Sequence, residues 1–411
     1  MQSSALLGLS STQIRQLPIG DIQALATSQI SGLSTQAIVG LSSTQLAQLP
    51  DADTAQLTVN QLAAVSSGAL PGLTTSQIGQ LSTQVLTAFS ASQVAALTLA
   101  DVGAIQAAQV SGLSSSALAG LSASQAGALN QSDLAVLSSA QVAAFSSNAM
   151  SGLGVGQITA ISDPQIAALS ALQIGALPTA DIAALSTSQI TSLSVAAVSV
   201  LLTAQFAHLT ASEIGAFTTT QIAAVSTTNI GAIGTAQVVA LTASEMLGLG
   251  SSQFASLPSS DLAALSSAQV AVLPTADIVA LSATQLASLG GLAHYSASQA
   301  SAFSSAQFAQ ISPAAFAAEF NSTGAINALT SAQLGALTTG ELAVLSAAQV
   351  AALSVSAIGG LQGSQITSLS SAEVHSFGTT QLAALSTQQS HALDAAQLHA
   401  RTTSQYSALH L

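Results

Sequence analysis

Leu185-Ser186-Thr187-Ser188-Gln189-Ile190-Thr191-Ser192 is one of a long series of octads of the form L-[ST]-x-x-Q-[IVL]-x-[AG], and its offsets dictate a local structure. Ser at position 2 and Gln at position 5 stand three apart, the spacing of a capping box in which each side chain satisfies a backbone N–H near the other. Leu at position 1 and Ile at position 6 then form a hydrophobic staple. One octad is thus a helix-start signal repeated end to end. Each helix is expected over positions 3 to 8, about one and a half turns at 3.6 residues per turn. Pieces this short fall below the ~12 residues at which isolated helices become marginal, so they must stack to exist.

Written in rows of eight from Met1 and numbered in order, residues 1–288 keep one phase as a regular repeat solenoid. Residues 289–320 form a phase defect. Leu289-Gly290-Gly291-Leu292-Ala293-His294 is two residues short, Tyr295, Phe303 and Ile311 lead shifted octads, and Glu319-Phe320 restores the missing pair. Gly290-Gly291 reads as a kink, since glycine tolerates unusual backbone angles. Residues 321–411 resume the first phase.

A second regularity overlies the first. Position 5 is glutamine in every in-phase even octad: Gln13, Gln29, Gln45, Gln61, Gln77, Gln93, Gln109, Gln125, Gln141, Gln157, Gln173, Gln189, Gln205, Gln221, Gln237, Gln253, Gln269 and Gln285, then again from Gln333 to Gln397. All 11 acids at this position fall in odd octads. The structural unit is therefore expected to be two octads, 16 residues. A side-chain amide offers two donors and an acceptor, so a buried glutamine column can bind the turns above and below it. A carboxylate there would be desolvated without a countercharge. Odd octads, with Asp, Glu, Asn or Ala, read as the wetter side, and their acids as a solvated face rather than an ion site. Pro18, Pro50, Pro178, Pro258 and Pro274 occupy position 2, each three residues before an aspartate. Proline suits a helix entrance, and an acid in the first turn complements the helix dipole.

These features define an all-α solenoid of very short capped helices. A parallel β-solenoid with 16 residues per coil is the alternative. Ala, Leu and Gln favour helix, and Glu245, Asp261 and Asp277, one per 16-residue unit, would sit about 4.8 Å apart in a β-stack. With two basic residues in 411 there is nothing to relieve such a ladder.

The same scarcity excludes functions. Charged residues make up 4% of the chain, which carries 15 acids, Arg15, Arg401 and no lysine, so no basic face exists for nucleic acid. No apolar run approaches the 18 or so residues of a membrane span. Cysteine is absent, and with it disulfides and thiolate chemistry. No nucleophile elbow or calcium loop appears, so no catalytic residue and no cofactor is assigned. His375, His391 and His399, all at position 7, are weak candidates for metal or haem ligation. Stacked layers about 9 Å apart argue against zinc, whose bonds are near 2 Å.

Tandem octads such as Leu185 to Ser192 and Leu345-Ser-Ala-Ala-Gln-Val-Ala-Ala resemble the long Ser/Thr/Ala-rich repeat regions of large bacterial surface or secreted exoproteins, often labelled adhesins or haem-utilisation and adhesion proteins. The resemblance implies an extracellular or cell-surface, fibrous or adhesive role. Met1-Gln-Ser-Ser-Ala has no basic segment of the kind that opens a signal peptide. A surface nearly free of charge lacks the repulsion that keeps proteins apart. The leading expectation is a non-catalytic structural protein that self-associates into a filament, sheath or matrix, or forms an adhesin stalk. The alternative is a binding module presenting a Ser/Thr/Gln array to polysaccharide or ice.

Overall fold

The computed structural model describes residues 8–289, 296–309, 312–320, 322–399 and 401–410. Within them every regular element is a short helix, from Ser11–Gln16 to Thr403–Ser407, and no strand occurs. The β-solenoid alternative thus finds no support. The Gly290-Gly291 kink lies outside the described residues.

The octad from Leu121 to Ala128 shows how the local structure arises. Ser122 is the N-cap of helix Ala123–Ala128. Its hydroxyl accepts from Gln125 N–H at 3.3 Å, and Gln125 Oε1 accepts from Ser122 N–H at 3.0 Å. The α-type bond from Ala126 N–H to Ser122 C=O closes the first turn at 2.9 Å. Leu129 N–H then donates to Ala126 C=O at 3.2 Å. Leu129 and Asn130 are extended and re-aim the chain into the next helix. Where position 2 lacks a hydroxyl, as at Ala26, Gly154 and Leu202, the glutamine half of the box persists, its Oε1 accepting the cap N–H at 2.7, 2.9 and 2.8 Å. Positions 1 and 6 point inward: Leu185 and Ile190 are 1% and 0% exposed. Burying such a pair contributes about 2 kcal/mol per side chain, which is what makes helices of four to seven residues persist.

Stacking follows a three-octad rule. Ser11–Gln16 packs on Thr35–Ile38, and that helix on Val59–Ala64; Ser331–Ala336 packs on Val355–Ile358, and that on Thr379–Ala383. One turn of the solenoid is therefore three octads, 24 residues, and the expected 16-residue layer is corrected. The reason is geometric: each extended pair turns the chain through a third of a circuit rather than a half. The two-octad regularity survives as chemistry. Because three is odd, each even octad stacks on odd ones, and the glutamines are distributed over all three corners of the turn instead of forming one seam.

The chain divides into two compact units, Met1–Leu209 and Thr210–Leu411, each an α-solenoid of this kind. In the second, the core near the phase defect is aromatic. Phe303, Phe308, Phe316 and Phe320 pack with ring centroids 4.8–6.3 Å apart. Phe316 lies in the middle of Pro313–Glu319 and Phe320 just after it; at seven residues this helix exceeds the usual length here.

Five glycines at position 8 permit the closest approach between turns. A Cβ on Gly40, Gly72, Gly120, Gly152 or Gly360 would lie 1.9–2.1 Å from a backbone carbonyl oxygen of the preceding turn, that of Ser11, Ser43, Ala91, Ala123 or Ser331. All five belong to octads with buried alanine at position 5: Ala37, Ala69, Ala117, Ala149 and Ala357. A small residue at position 5 lets the helix settle onto its neighbour, and only glycine fits where the backbones then meet. Gly120→Ala is expected to cost about 3 kcal/mol, because backbone must shift to admit the methyl group; chemical denaturation of the variant beside the parent chain and Gly79→Ala, whose methyl group would meet nothing within 4 Å, checks this.

Candidate functional site

The recurring polar construction is the glutamine at position 5. Gln45 Oε1 accepts the Ser42 N–H at 3.0 Å, while its Nε2 donates to Ile14 C=O at 2.8 Å and Leu17 C=O at 3.0 Å, on the preceding turn. Gln61 repeats this toward Ile30 and Leu33, at 2.8 and 2.9 Å, and Gln125 toward Val94 and Leu97, at 2.9 and 2.8 Å. Each amide thus closes its own helix cap and bridges the corner where one helix of the previous turn ends and the next begins. The Ile14 carbonyl takes both Gln45 Nε2 and the Leu17 N–H, using both lone pairs.

Most of the named glutamines are buried. Gln45, Gln61, Gln77, Gln93, Gln109, Gln125, Gln157, Gln173, Gln189, Gln205, Gln221, Gln237, Gln253 and Gln269 are nearly inaccessible; Gln29, Gln141 and Gln285 are half-buried; Gln13 is exposed. The rung continues through the shifted octads. Gln299 reaches Val270 and Leu273, and Gln307 reaches Ile278 and Leu281, each over 29 and 26 residues rather than 31 and 28. The two residues missing from the short octad are taken out of the separation, and the bonds remain.

The acids at position 5 depart from expectation. Asp53, Asp101, Asp133, Asp181, Glu213, Glu245, Asp261, Asp277 and Glu341 are buried, not on a wet face, whereas Asp21 is exposed and Glu373 half-buried. With three octads per turn, position 5 points into the same kind of corner whatever the parity. Some acids take the glutamine's capping role: Asp101 accepts from Thr98 N–H at 3.0 Å, Asp133 from Asn130 N–H at 2.8 Å and Glu213 from Thr210 N–H at 2.6 Å. None can donate to the carbonyls of the preceding turn as an amide does.

Proline sharpens the difference. Pro50, Pro178 and Pro274 are N-caps with neither hydroxyl nor N–H, and the acids three residues on, Asp53, Asp181 and Asp277, each hold a buried Oδ2 with no hydrogen-bond partner in the protein. The preceding turn relieves two such octads. Thr235 Oγ1 donates to Asp261 Oδ1 at 2.6 Å and Ser251 Oγ to Asp277 Oδ1 at 2.8 Å, each from 26 residues earlier. The equivalent residue for Asp181 is Val155, which has no donor. Burial pushes the carboxyls of Asp133, Asp181 and Asp277 above the ordinary aspartate range, against the lowering effect of Asn130 on Asp133 and of Ser251 on Asp277.

The histidines are not gathered into a site. His375, His391 and His399 are exposed, and no group of three or more His, Asp or Glu among the described residues could hold a metal ion. Arg401 stands at position 1, where most octads carry leucine, and burial lowers its guanidinium from the usual range. An open groove beside Thr323, Asn327, Ser354 and Thr380 carries no charged group. No helix among the described residues is long and apolar enough to cross a membrane.

Fold and repeated site together define a short-helix α-solenoid repeat protein. Residues 19–50, 174–211 and 254–290, about a quarter of the chain, match the family model of the ALTTAQ repeat. No curated protein matches the chain.

Sequence reading missed the burial of the acids and the Ala–Gly pairing between positions 5 and 8; the second was visible in the recurring A-[ILM]-x-G. Two substitutions test the amide rung. Gln189→Ala forfeits the bonds to Ile158 and Ile161 carbonyls and should lower stability by about 2 kcal/mol. Gln189→Glu sets an oxygen against the same carbonyls and should do at least as much. Asp181→Ala should do less than either in thermal melts, and equal, negligible effects of all three would refute the rung's role. Val155→Thr offers Asp181 the hydroxyl that Ser251 gives Asp277, and is expected to add about 1 kcal/mol at neutral pH by the same measurement.

Proposed function

We propose that the chain is a non-catalytic structural element of the cell exterior that associates with copies of itself into a filament, sheath or matrix, or forms the stalk of an adhesin. The observation that carries this reading is the sparsely charged surface. Nine of the 15 acids are buried at position 5, so the exterior is poorer in charge than composition implies. Serine, threonine, alanine and glycine remain outside, with aliphatic side chains among them: Leu172 is 80% exposed and Leu202 59%. Like-charge repulsion, the ordinary barrier to association, is therefore weak. The match to ALTTAQ repeats supports a repeat-built structural protein. Copies of this chain are the leading partner. Localisation outside the cell rests on the resemblance to exoprotein repeats.

A regular hydroxyl and amide surface also suits a polysaccharide or ice partner, and one experiment separates the readings. Sedimentation and electron microscopy of the purified chain are expected to show concentration-dependent fibres whose formation changes little between low and high salt, because few exposed charges remain to be screened. Monodisperse particles that retain a glycan or inhibit ice growth would transfer the function to binding.

A further inference from the structure

Asp181 and Asp277 each hold a buried carboxyl oxygen without a partner, and Asp133, whose carboxyl accepts the Asn130 N–H, shares their burial and their uncharged company. Asp133, Asp181 and Asp277 are 1–2% exposed. The helices packed around each bring no charge to it. Asp133 lies on Gln131–Val136, against Ala107–Val110 and Val155–Ala160; Asp181 on Thr179–Ile182, against Val155–Ala160 and Thr203–Ala207; Asp277 on Thr275–Ala280, against Ser251–Phe254 and Ala297–Ala302. None of the packed helices carries Asp, Glu, His, Lys or Arg, and neither do the helices that precede and follow Gln131–Val136, Thr179–Ile182 and Thr275–Ala280 in the chain; His208, exposed, follows the last residue of Thr203–Ala207. A carboxylate in such a corner is taken from water without a countercharge. Protonation removes that burden and turns one oxygen from acceptor to donor, which brings the side chain nearer to the amide that occupies the same position in even octads.

We infer that the solenoid is a proton-responsive structure, tightened rather than loosened by mild acid, with Asp133, Asp181 and Asp277 as the groups that take up the protons. Most folded proteins behave oppositely, because their carboxylates are ion-paired or hydrogen-bonded and resist protonation. Here the sign is reversed. Burial raises the folded-state values above the ordinary 3.8, so the folded chain binds protons more tightly than the unfolded one. The stabilisation grows as pH falls from neutral through the raised values, is fully present below 3.8, and is lost as pH rises again. The inference does not depend on self-association, and would hold for an isolated chain.

The test is thermal unfolding of the full chain between about pH 7.5 and 4.5, at low protein concentration, beside the triple variant Asp133→Asn, Asp181→Asn, Asp277→Asn. The parent's melting temperature is expected to rise by a few degrees on acidification. The variant, isosteric and permanently neutral at these sites, should melt higher than the parent at neutral pH and show a much flatter profile. A parent profile that is flat or falls with acid overturns the inference. So does a variant that retains the parent's full slope, which would assign the effect to diffuse repulsion among the remaining acids. Proton release covers the case of a variant that does not fold. Near pH 5, unfolding the parent in weakly buffered solution should liberate protons, and uptake or no change would overturn the proposal independently of any substitution.

Discussion

A single amide group couples the two directions of this fold. The Gln45 side chain accepts from its own helix cap and donates to two carbonyls on the preceding turn. One residue thereby ends the problem of an unsatisfied helix start and the problem of an unsatisfied corner. Neither helix nor corner is viable alone. Helices of four to seven residues cannot nucleate in isolation, and a corner built of extended residues leaves carbonyls exposed to an apolar interior. The leucines and isoleucines at positions 1 and 6 supply the driving force for stacking, and the amide fixes which backbone groups meet. Both inputs recur with every even octad, so stability accrues through neighbouring turns, as in other repeat proteins.

Odd octads show what happens when that group is replaced. Where alanine stands at position 5, as at Ala117, the helix closes on its neighbour and Gly120 accommodates the contact. Where an acid stands there, capping persists only if the cap residue has an N–H, the downward donor is gone, and at Asp53, Asp181 and Asp277, which follow prolines, an oxygen is left without a partner. Buried charge without a countercharge is destabilising. Its retention in a chain with two arginines fits a molecule whose exterior carries few charges and whose acids are mostly held inside.

Much of the local structure was legible. Ser-x-x-Gln spacing marked each N-cap, as at Ser122 and Gln125, and the staple positions marked the core, as at Leu185 and Ile190. The circuit was not legible. Whether two or three octads close a turn depends on the dihedral angles of pairs such as Leu129-Asn130, which residue type does not specify. The chemical period of two octads was a misleading guide, because it describes alternation along the chain while stacking relates every third octad. That error carried through to the acids. A two-octad turn would have put all of them on one side, open to water; a three-octad turn carries Asp101 and Asp133 into different corners of the interior.

The rung recognises main chain and ignores side chains. Ile14, Ala126 and Phe145 all serve as acceptors through their carbonyls. Whole octads can therefore be gained or lost without spoiling an amide rung, and a shortfall of two residues is absorbed as well. Array length is consequently a loosely held trait. Selection can tune the reach of such a molecule by copy number alone, without inventing a new interface at each step.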